Sequence, residues 1–330
     1  MNMLRSFKIG NVPIDPPIVL APIAGFTDSP FRILVKNFTA GLVYTEMISS
    51  MGIFFKDAKT FELIKFKENE KPVSAQIFGN DPDKLAYAAS YLEEKGFDII
   101  DINMGCPANK IVSSGAGSAL LKNPGLVKKI VQAARTAVKI PLTVKLRKGF
   151  SSGENVLFEL SHIIESEGAD AIIIHGITVE DGFKKDKEDW ESIRQVKETV
   201  RVPVIGNGGI IKETDVKNMF EITGVDGVMA GRACIGEPWF IKSAIQFIDT
   251  GTPLSLLLSE KLNIIVKLVE MEIDEKGEEN AIKEMRKFIQ SFTFGMRGVA
   301  ALRDKVNKIG KKDELMGLLQ AFFEVKEAAV

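Results

Sequence analysis

The sequence predicts an α/β protein in which a (β/α)8 TIM barrel is followed by a small C-terminal α-helical bundle. The main observation is a series of eight short, almost continuously apolar runs separated by longer helical patterns. Such runs are typical of parallel strands that are buried on both faces. The runs are Ile18–Leu20, Leu42–Thr45, Val73–Phe78, Ile99–Asn103, Leu142–Leu146, Ala171–His175, Pro203–Asn207 and Gly227–Ala230. Eight units in about 240 residues fit a barrel, and a doubly wound sheet is the alternative from the pattern alone.

Helix signals follow most of these runs. Asp81–Pro82 opens a helix that ends near Gly96, and Asn123–Pro124 opens a second one. Ser151–Gly153 leads into a third helix, which ends at Gly168. Proline suits the first turn of a helix and glycine suits its end, so these boundaries have a physical basis.

The composition changes near Pro253, after which no β-rich run appears. Apolar residues recur there at helical spacing, which predicts a bundle of three or four helices. The segments contain Leu262, Ile265, Val269 and Ile273; Ile282, Met285, Ile289 and Phe292; and Leu315, Leu318, Leu319 and Phe322. We therefore expect a barrel domain at 1–248, a helical domain at 249–330 and a linker at Asp249–Pro253.

Composition and charge limit the classes of function. The 330 residues are 45% hydrophobic and 26% charged, with a formal net charge of −1. This balance argues against a surface that is basic throughout, but a local basic patch for nucleic acid is compatible with it. We expect no membrane partner and a cytoplasmic location, because neither a leader nor a spanning segment of about 20 apolar residues is visible. Cys106 and Cys234 lack metal-ligand spacing, so no metal is expected.

Chemistry in a TIM barrel is concentrated where the strands end. The fourth strand ends in a loop that carries Cys106 between Gly105 and Pro107. A thiol there can act as a nucleophile or as a proton donor, and with an ordinary pKa of about 8.5 it is mostly protonated at neutral pH. Cys234 lies in an apolar helical context, and we interpret it as buried and unreactive.

The fifth and sixth strands end in basic residues. Lys145 and Arg147 alternate onto the same side of the fifth strand. They form a cationic pair at the barrel mouth if that side faces inward, and they are solvated charges if it does not. His175, one of two histidines in the chain, ends the sixth strand, and we favour a functional role for it.

Glycine-rich loops follow the seventh and eighth strands, at residues 206–210 and 230–233. Such loops are the recurrent phosphate site of this fold, and Arg232 adds a cation. The first strand ends at 21–25 in small residues and a proline. The backbone of such a segment can lie flat against a planar ligand, and the alternative is a plain turn. Gln76 suits the uracil-like edge of a flavin, or is structural. The sum favours a phosphorylated planar cofactor and flavin chemistry.

These residues fall in motifs that resemble the tRNA-dihydrouridine synthase family. The motifs span the predicted barrel in order and extend into the bundle. They are APIAGFTDSPFR (21–32), TEMI (45–48), QIFGNDP (76–82), DINMGCPANKI (101–111), GAGSALLKNP (115–124), LTVKLRKG (142–149), IHG (174–176), VIGNGGI (204–210), TGVDGVMAGRACIGEPWF (223–240) and KEMRKFIQSFTFGMRGVAALRDKVN (283–307).

The resemblance implies a role for each matching residue. Contacts to the isoalloxazine ring of FMN are implied for Pro22, Ile23, Ala24, Gln76, Lys145 and His175. Binding of the FMN phosphate is implied for Asn207, Gly208, Gly209, Gly231 and Arg232. Asn103 and Arg147 are expected to read the uracil, and Cys106 is expected to be the proton donor.

The implied reaction reduces specific uridines in tRNA to 5,6-dihydrouridine. Hydride passes from N5 of the reduced flavin to uracil C6, and the proton passes from Cys106 to C5. The base must leave its stack to reach the flavin, and NADPH or NADH re-reduces that flavin. The substrate partner is tRNA, and no obligate protein partner is implied.

Three departures from the family pattern concern RNA docking. The Arg-Thr-Arg that usually follows the His–Gly pair is replaced by residues 177–179, and the next stretch carries Lys184, Lys185 and Lys187. Gly209 replaces a frequent Asp, and the aromatic pair of the bundle motif is replaced around 291–294. Nine Lys/Arg against three Asp/Glu between Lys283 and Asp313 predict a basic face, or an ordinary solvated one.

Two alternatives differ in class. One is a flavin barrel that acts on a free pyrimidine, like the dihydroorotate or dihydropyrimidine dehydrogenases. The helical extension argues against it, because a free base needs no RNA dock. The other is an RNA-binding module without chemistry, which the presence of Cys106, Lys145 and His175 disfavours.

Overall fold

The computed structural model describes residues 3–182, 184 and 187–327, with side chains described up to residue 324. All eight predicted strands are present in one parallel sheet, and we number them β1 to β8 along the chain. They are Ile18–Leu20, Val43–Tyr44, Val73–Phe78, Ile99–Met104, Leu142–Gly149, Ala171–Thr178, Val204–Asn207 and Gly227–Ala230. Neighbours along the chain are neighbours in the sheet, and β8 pairs with β1 in parallel.

The sheet closes on itself. The Leu20 N–H donates to the Leu42 carbonyl at 2.9 Å, and the Gly41 N–H donates to the Ile18 carbonyl at 2.9 Å. These bonds join β1 to the residues just before β2. The two strands stand at opposite ends of the strand order, so this link closes the sheet. The predicted TIM barrel is therefore confirmed, and the doubly wound alternative is wrong, because an open sheet has two free edges.

Two strands extend three residues beyond their predicted ends. β5 runs to Gly149 and β6 to Thr178, and the two strands pair Arg147 with His175 and Gly149 with Thr178. A register shift lies between the two pairs. The basic residues at the barrel mouth therefore sit within paired strands, which fixes their backbone.

A short N-terminal hairpin was not predicted from the sequence. Its strands, Phe7–Ile9 and Val12–Ile14, pair antiparallel and contribute Ile9 and Ile14 to the apolar interior of the barrel. A further short strand, Ile48–Ser49, pairs with the end of β3. These three segments read FKI, VPI and IS, and none of them is the continuous apolar run by which the barrel strands were recognised.

The predicted helices of the barrel are confirmed with small shifts. Pro82 and Pro124 begin two of them, and the side chains of Asp81 and Asn123 cap those helices. The third predicted helix begins only at Leu157. The α-helices of the barrel part are Ser29–Lys36, Ser50–Phe54, Ala58–Leu63, Pro82–Glu94, Asn109–Val112, Pro124–Ala137, Leu157–Ser166, Trp190–Thr199, Glu213–Thr223, Arg232–Gly236 and Phe240–Thr250, and the 3-10 turns are Glu68–Glu70 and Gly117–Lys122.

Four helices follow, as the apolar spacing predicts. They are Leu258–Lys276, Glu278–Phe292, Val299–Val306 and Lys312–Glu327. The predicted linker begins inside the helix Phe240–Thr250, and the domain boundary at 248/249 stays a prediction. Among the described residues, no helix combines the length and apolar character that a membrane span requires.

The bundle packs on the segment that follows β1. Phe288 contacts Phe26 edge-on and Phe31 at a tilt, with ring centroids 5.4 and 5.2 Å apart. Lys276 forms an ion pair with Asp28 at 2.5 Å. Since the loop 21–25 precedes this segment directly, the bundle supports one wall of the barrel mouth.

Candidate active site

A cavity of about 370 Å³ lies at the C-terminal end of the barrel. Six of the eight strands contribute to it, either from the strand itself or from the loop that follows, together with Met47, which follows β2. Thirteen of the fourteen predicted site residues line the cavity. They are Pro22, Ile23, Ala24, Asn103, Cys106, Lys145, Arg147, His175, Asn207, Gly208, Gly209, Gly231 and Arg232.

Gln76 is the predicted site residue that lies behind the cavity wall. Its side chain is fully buried. Its Nε2 donates to Asp101 Oδ2 at 2.6 Å, and its Oε1 accepts from Asn103 Nδ2 at 2.9 Å. The amide therefore reaches the cavity only through Asn103, and its direct contact with a flavin stays a prediction.

Lys145 is a buried cation in the lining of the cavity. The inward face of β5 carries Lys145 and Arg147, so the alternation predicted from the sequence points both side chains into the barrel. Lys145 Nζ donates to Asn207 Oδ1 at 2.9 Å, and Asn207 Nδ2 donates to the Met229 carbonyl at 2.9 Å. Burial and the neighbouring charge of Arg147 lower the pKa of Lys145 to about 8.

Asn103 and Arg147 hold the loop that carries Cys106. The backbone N–H groups of Gly105 and Cys106 donate to Asn103 Oδ1 at 3.1 and 2.9 Å. Arg147 Nε donates to the Gly105 carbonyl at 2.9 Å, and its Nη1 donates to the Thr178 carbonyl at 3.1 Å. The thiol therefore sits on a loop whose backbone is fixed by two side chains of the barrel.

The protonation states near the thiol follow from burial. Burial raises the pKa of the Cys106 thiol above its ordinary range, which keeps it protonated at neutral pH. Burial, followed by the charges of Lys145 and Arg147, holds the pKa of His175 well below its usual value. The lining of the cavity therefore includes a protonated thiol, a neutral imidazole and three cationic side chains, Lys145, Arg147 and Arg232.

The glycine loop after β7 packs directly against the imidazole of His175. Gly208 has a φ of +106°, and a Cβ on it would lie 2.6 Å from His175 Cδ2. Gly209 has a φ of +71°. Trp190 Nε1 donates to the Gly208 carbonyl at 3.1 Å and supports the loop from outside the barrel. The glycine loop and the exposed Arg232 line the same cavity, and phosphate binding by them stays a prediction.

The loop after β1 also lines the cavity. The Ile23 N–H donates to Thr27 Oγ1 at 3.0 Å, and the Gly25 N–H donates to Glu46 Oε2 at 2.5 Å. Gly231 lies beside this loop, because a Cβ on it would be in van der Waals contact with Ala21 Cβ at 3.4 Å and with Ile23 Cδ1 at 3.5 Å. The loops that follow β1 and β8 therefore lie next to each other at the cavity.

A family model described as dihydrouridine synthase (Dus) matches residues 19–328, which is nearly the whole chain. The chain belongs to the dihydrouridine synthase family. The match covers all eight barrel strands and the four C-terminal helices, so the resemblance seen in the motifs is confirmed over the full architecture.

Two relatives illustrate how far the family likeness extends. The chain is 37% identical over 302 residues to a probable tRNA-dihydrouridine synthase of Rickettsia conorii, covering 91% of each chain. It is 36% identical over 318 residues to tRNA-dihydrouridine synthase B of Proteus vulgaris, covering 96% of this chain and 98% of that one.

Solved structures share the fold at low identity. Morphinone reductase in complex with tetrahydroNAD matches with a TM-score of 0.52 at 11% identity, covering 78% of this chain and 93% of that chain. A 2-naphthoyl-CoA reductase matches with a TM-score of 0.58 at 12% identity, covering 76% and 52%. Identities this low show the common barrel alone.

Sequence reasoning missed several residues that shape the site of this family member. Asp101 was read only as part of a motif, yet its buried carboxylate accepts bonds from Gln76 and Thr143. Met47 belongs to the TEMI motif (45–48) but carries no predicted role, and Trp190, which begins the helix Trp190–Thr199, gave no signal. Cys234 is fully buried, as expected. Of the lysines near the sixth strand, Lys185 lies outside the described residues.

Proposed function

We propose that this protein reduces uridines in tRNA to 5,6-dihydrouridine with the help of FMN and a nicotinamide reductant. The observation that carries the proposal is the single cavity that joins Cys106, Lys145 and His175 to a glycine phosphate cradle. Membership of the dihydrouridine synthase family supports the reaction, and the names of the relatives support tRNA as the substrate.

The residues that line the cavity fit FMN in type and in charge. Gly208 packs so closely against His175 that no Cβ fits between them, so the glycine loop and the imidazole form one continuous wall. The Gly208–Gly209 loop and Arg232 would hold the phosphate, and Lys145 would lie beside the ring. When bound, the reduced flavin supplies the hydride that uracil C6 accepts.

Cys106 would supply the proton that C5 of the base requires. Its raised pKa keeps the proton on sulfur at neutral pH until a stronger base develops in the substrate. The loop geometry holds the thiol on the cavity side, because Asn103 and Arg147 tie down the neighbouring backbone. The cationic Lys145 and Arg147 would stabilise the negative charge that develops on the uracil carbonyl system.

We assign NADPH or NADH to the same cavity. No second glycine-rich dinucleotide motif occurs in the sequence. Reductant and RNA would therefore bind in turn at one mouth. This arrangement predicts that high concentrations of the reductant inhibit the reaction of the tRNA.

The first experiment uses the purified holoprotein, its visible spectrum and a nucleoside analysis. We expect a flavin spectrum and, after incubation with NADPH and unmodified tRNA, a two-dalton gain on uridine by mass spectrometry. If the protein reduced a free pyrimidine and left tRNA unchanged, we would conclude that it is an enzyme of the dihydroorotate dehydrogenase kind. A colourless protein that binds tRNA would point to an RNA-binding module.

The charge of Lys145 sets an upper pH limit for turnover. Its pKa is lowered to about 8, so the charged form is lost as the pH rises through that value. We expect kcat to decline above pH 8 in the wild type. The residual activity of a Lys145→Met variant should lack this decline, since Met cannot titrate. A flat wild-type profile through pH 9 would exclude a role for this charge.

The same substitution has a predictable effect on stability. The pKa of Lys145 in the folded protein, about 8, lies below the ordinary lysine value near 10.4. The charged Lys145 therefore lowers the free energy of unfolding at neutral pH. This destabilisation disappears as the pH rises from 8 towards 10, because Lys145 then loses its proton in the folded state. Lys145→Met should therefore raise Tm at pH 7, with a gain that shrinks at higher pH. A lower Tm at pH 7 would contradict this reasoning.

A basic face on the bundle would bind the RNA backbone. Five exposed cations lie on or beside the helix Val299–Val306, and none of them forms an ion pair with another described residue. They are Arg297, Arg303, Lys305, Lys308 and Lys311. Phe294, which is 88% exposed, lies in the preceding turn and could stack on an unpaired base.

Charge reversal on this face should weaken RNA binding without changing the chemical step. For Lys305→Glu with Lys308→Glu we expect a KM for tRNA raised at least about tenfold, with a shallower salt dependence and the same kcat. The matched control, Lys129→Glu with Lys139→Glu, on and just after the outer helix Pro124–Ala137, reverses the same number of charges and should behave as wild type. Equal KM values for the double variant and the control would remove the bundle face from the RNA site.

A further inference from the structure

Three polar side chains form a continuous hydrogen-bonded row beneath the Cys106 loop. Asp101 accepts from Gln76 at 2.6 Å, Gln76 accepts from Asn103 at 2.9 Å, and Asn103 accepts from the Cys106 N–H at 2.9 Å. Asp101 and Gln76 are fully buried, and Asn103 is 6% exposed. The row runs from the barrel interior to the backbone of the thiol loop.

The two ends of the row independently require the same amide orientations. At one end, backbone N–H groups can only donate, so the oxygen of Asn103 must face the loop. At the other end, the carboxylate of Asp101 can only accept, so the nitrogen of Gln76 must face it. Between them, the nitrogen of Asn103 meets the oxygen of Gln76. Every bond is satisfied, and flipping either amide would set donor against donor and acceptor against acceptor.

We propose that Asp101 is a positioning residue that, through Gln76 and Asn103, fixes the loop of Cys106 in the geometry required for proton delivery. This inference rests on the proposed function, because it deepens the role given to Cys106. Asp101 itself lies below the cavity and is absent from its lining. It therefore acts through the row and not by contact with the substrate.

The surroundings of Asp101 keep its carboxyl group ionised at neutral pH, so it can accept the hydrogen bond from Gln76. The groups that face it are Tyr44 from β2, Gln76 from β3, and Thr143 and Lys145 from β5. Burial raises the pKa of Asp101 to about 6, while bonds from Thr143 and Gln76 and the charge of Lys145 oppose that rise. At neutral pH the carboxyl is therefore mainly ionised and acts as an acceptor at both oxygens.

The test compares two substitutions at the same position. Asp101→Leu removes the acceptor, whereas Asp101→Asn can keep an oxygen towards Gln76 and turn its amide to the Thr143 hydroxyl. We expect Asp101→Leu to lower kcat by about 100-fold, as a misplacement near 1 Å can, with a smaller change in KM for tRNA. Asp101→Asn should stay close to wild type. Thr143→Val is the control, because it removes a bond to Asp101 outside the row.

A second readout does not depend on turnover. Alkylation of Cys106 by iodoacetamide in the FMN-loaded protein reports how the loop holds the thiol, and Cys234 is too buried to contribute. We expect faster alkylation of Cys106 in Asp101→Leu than in wild type, Asp101→Asn or Thr143→Val. Equal alkylation rates and equal kcat in folded, flavin-loaded Asp101→Leu would overturn the proposal.

A third variant covers the case in which Asp101→Leu fails to fold. Gln76→Glu keeps the shape of the side chain but can donate to Asp101 only while it carries a proton. Its kcat should be highest at acid pH and fall as the pH rises, at lower pH than the wild-type decline. A profile that superimposes on wild type would also overturn the proposal. If wild type makes no dihydrouridine, the proposed function fails, and the alkylation rates still report on the row.

Discussion

Replacing Cys106 with alanine is expected to leave FMN bound and to lower the rate of uridine reduction by about 100- to 10,000-fold, the usual contribution of a positioned general acid. The thiol is the protonated group on the loop beside the cavity, and its raised pKa shows that burial favours the neutral form. Single-turnover reduction of tRNA by the pre-reduced enzyme measures this step directly.

The control for this variant is Cys234→Ala. Cys234 is fully buried, and burial raises its pKa far above the ordinary range, so it takes no part in proton transfer. The control should lose some stability through a small cavity and keep its single-turnover rate. If Cys106→Ala reduced tRNA as fast as Cys234→Ala, another group would have to supply the proton to C5.

Replacing Gly208 with alanine is expected to yield protein without flavin. The new Cβ would lie 2.6 Å from His175 Cδ2 and 3.0 Å from its Nε2, at a backbone φ of +106°. Either the imidazole or the loop must move, and both line the cavity. We expect the Kd for FMN to rise at least about 100-fold, because the cradle loses both its backbone geometry and one wall. Flavin fluorescence titration of the apoprotein measures the change.

Gly224→Ala separates strain from steric contact. Gly224 has a φ of +64° at the end of the helix Glu213–Thr223, and a Cβ on it would meet nothing within 4 Å. The substitution should cost about 1–2 kcal/mol in stability and leave FMN affinity unchanged. If Gly208→Ala also kept its FMN affinity, the glycine loop would not be the phosphate cradle.

The local pattern of the sequence determined the barrel and most of the site. Continuous apolar runs reflect burial on both faces of a strand, which is why all eight strands were found within a few residues. The side-chain period of two placed Lys145 and Arg147 on one face, and the fold rule placed the glycine loops at a phosphate site. These features depend only on neighbours along the chain.

Contacts across the barrel were decided by the tertiary structure. The register between β3, β4 and β5 brings Gln76 and Thr143 to Asp101, although they lie 25 and 42 residues away from it in the chain. That register also places Gln76 behind Asn103. The sequence had predicted a direct contact between Gln76 and a flavin. Strand closure and stagger set these pairings, and neither has a signal within a single strand.

The sequence by itself thus determined which residue types stand at the barrel mouth: a thiol on a Gly–Pro loop, two cations, an imidazole and two glycine loops. Only the tertiary structure decided how they are held, through the amide row under Cys106 and the carbonyl bonds of Arg147. The physical reason is that periodicity is a property of neighbouring residues, whereas hydrogen bonds between strands exist only after the barrel has closed.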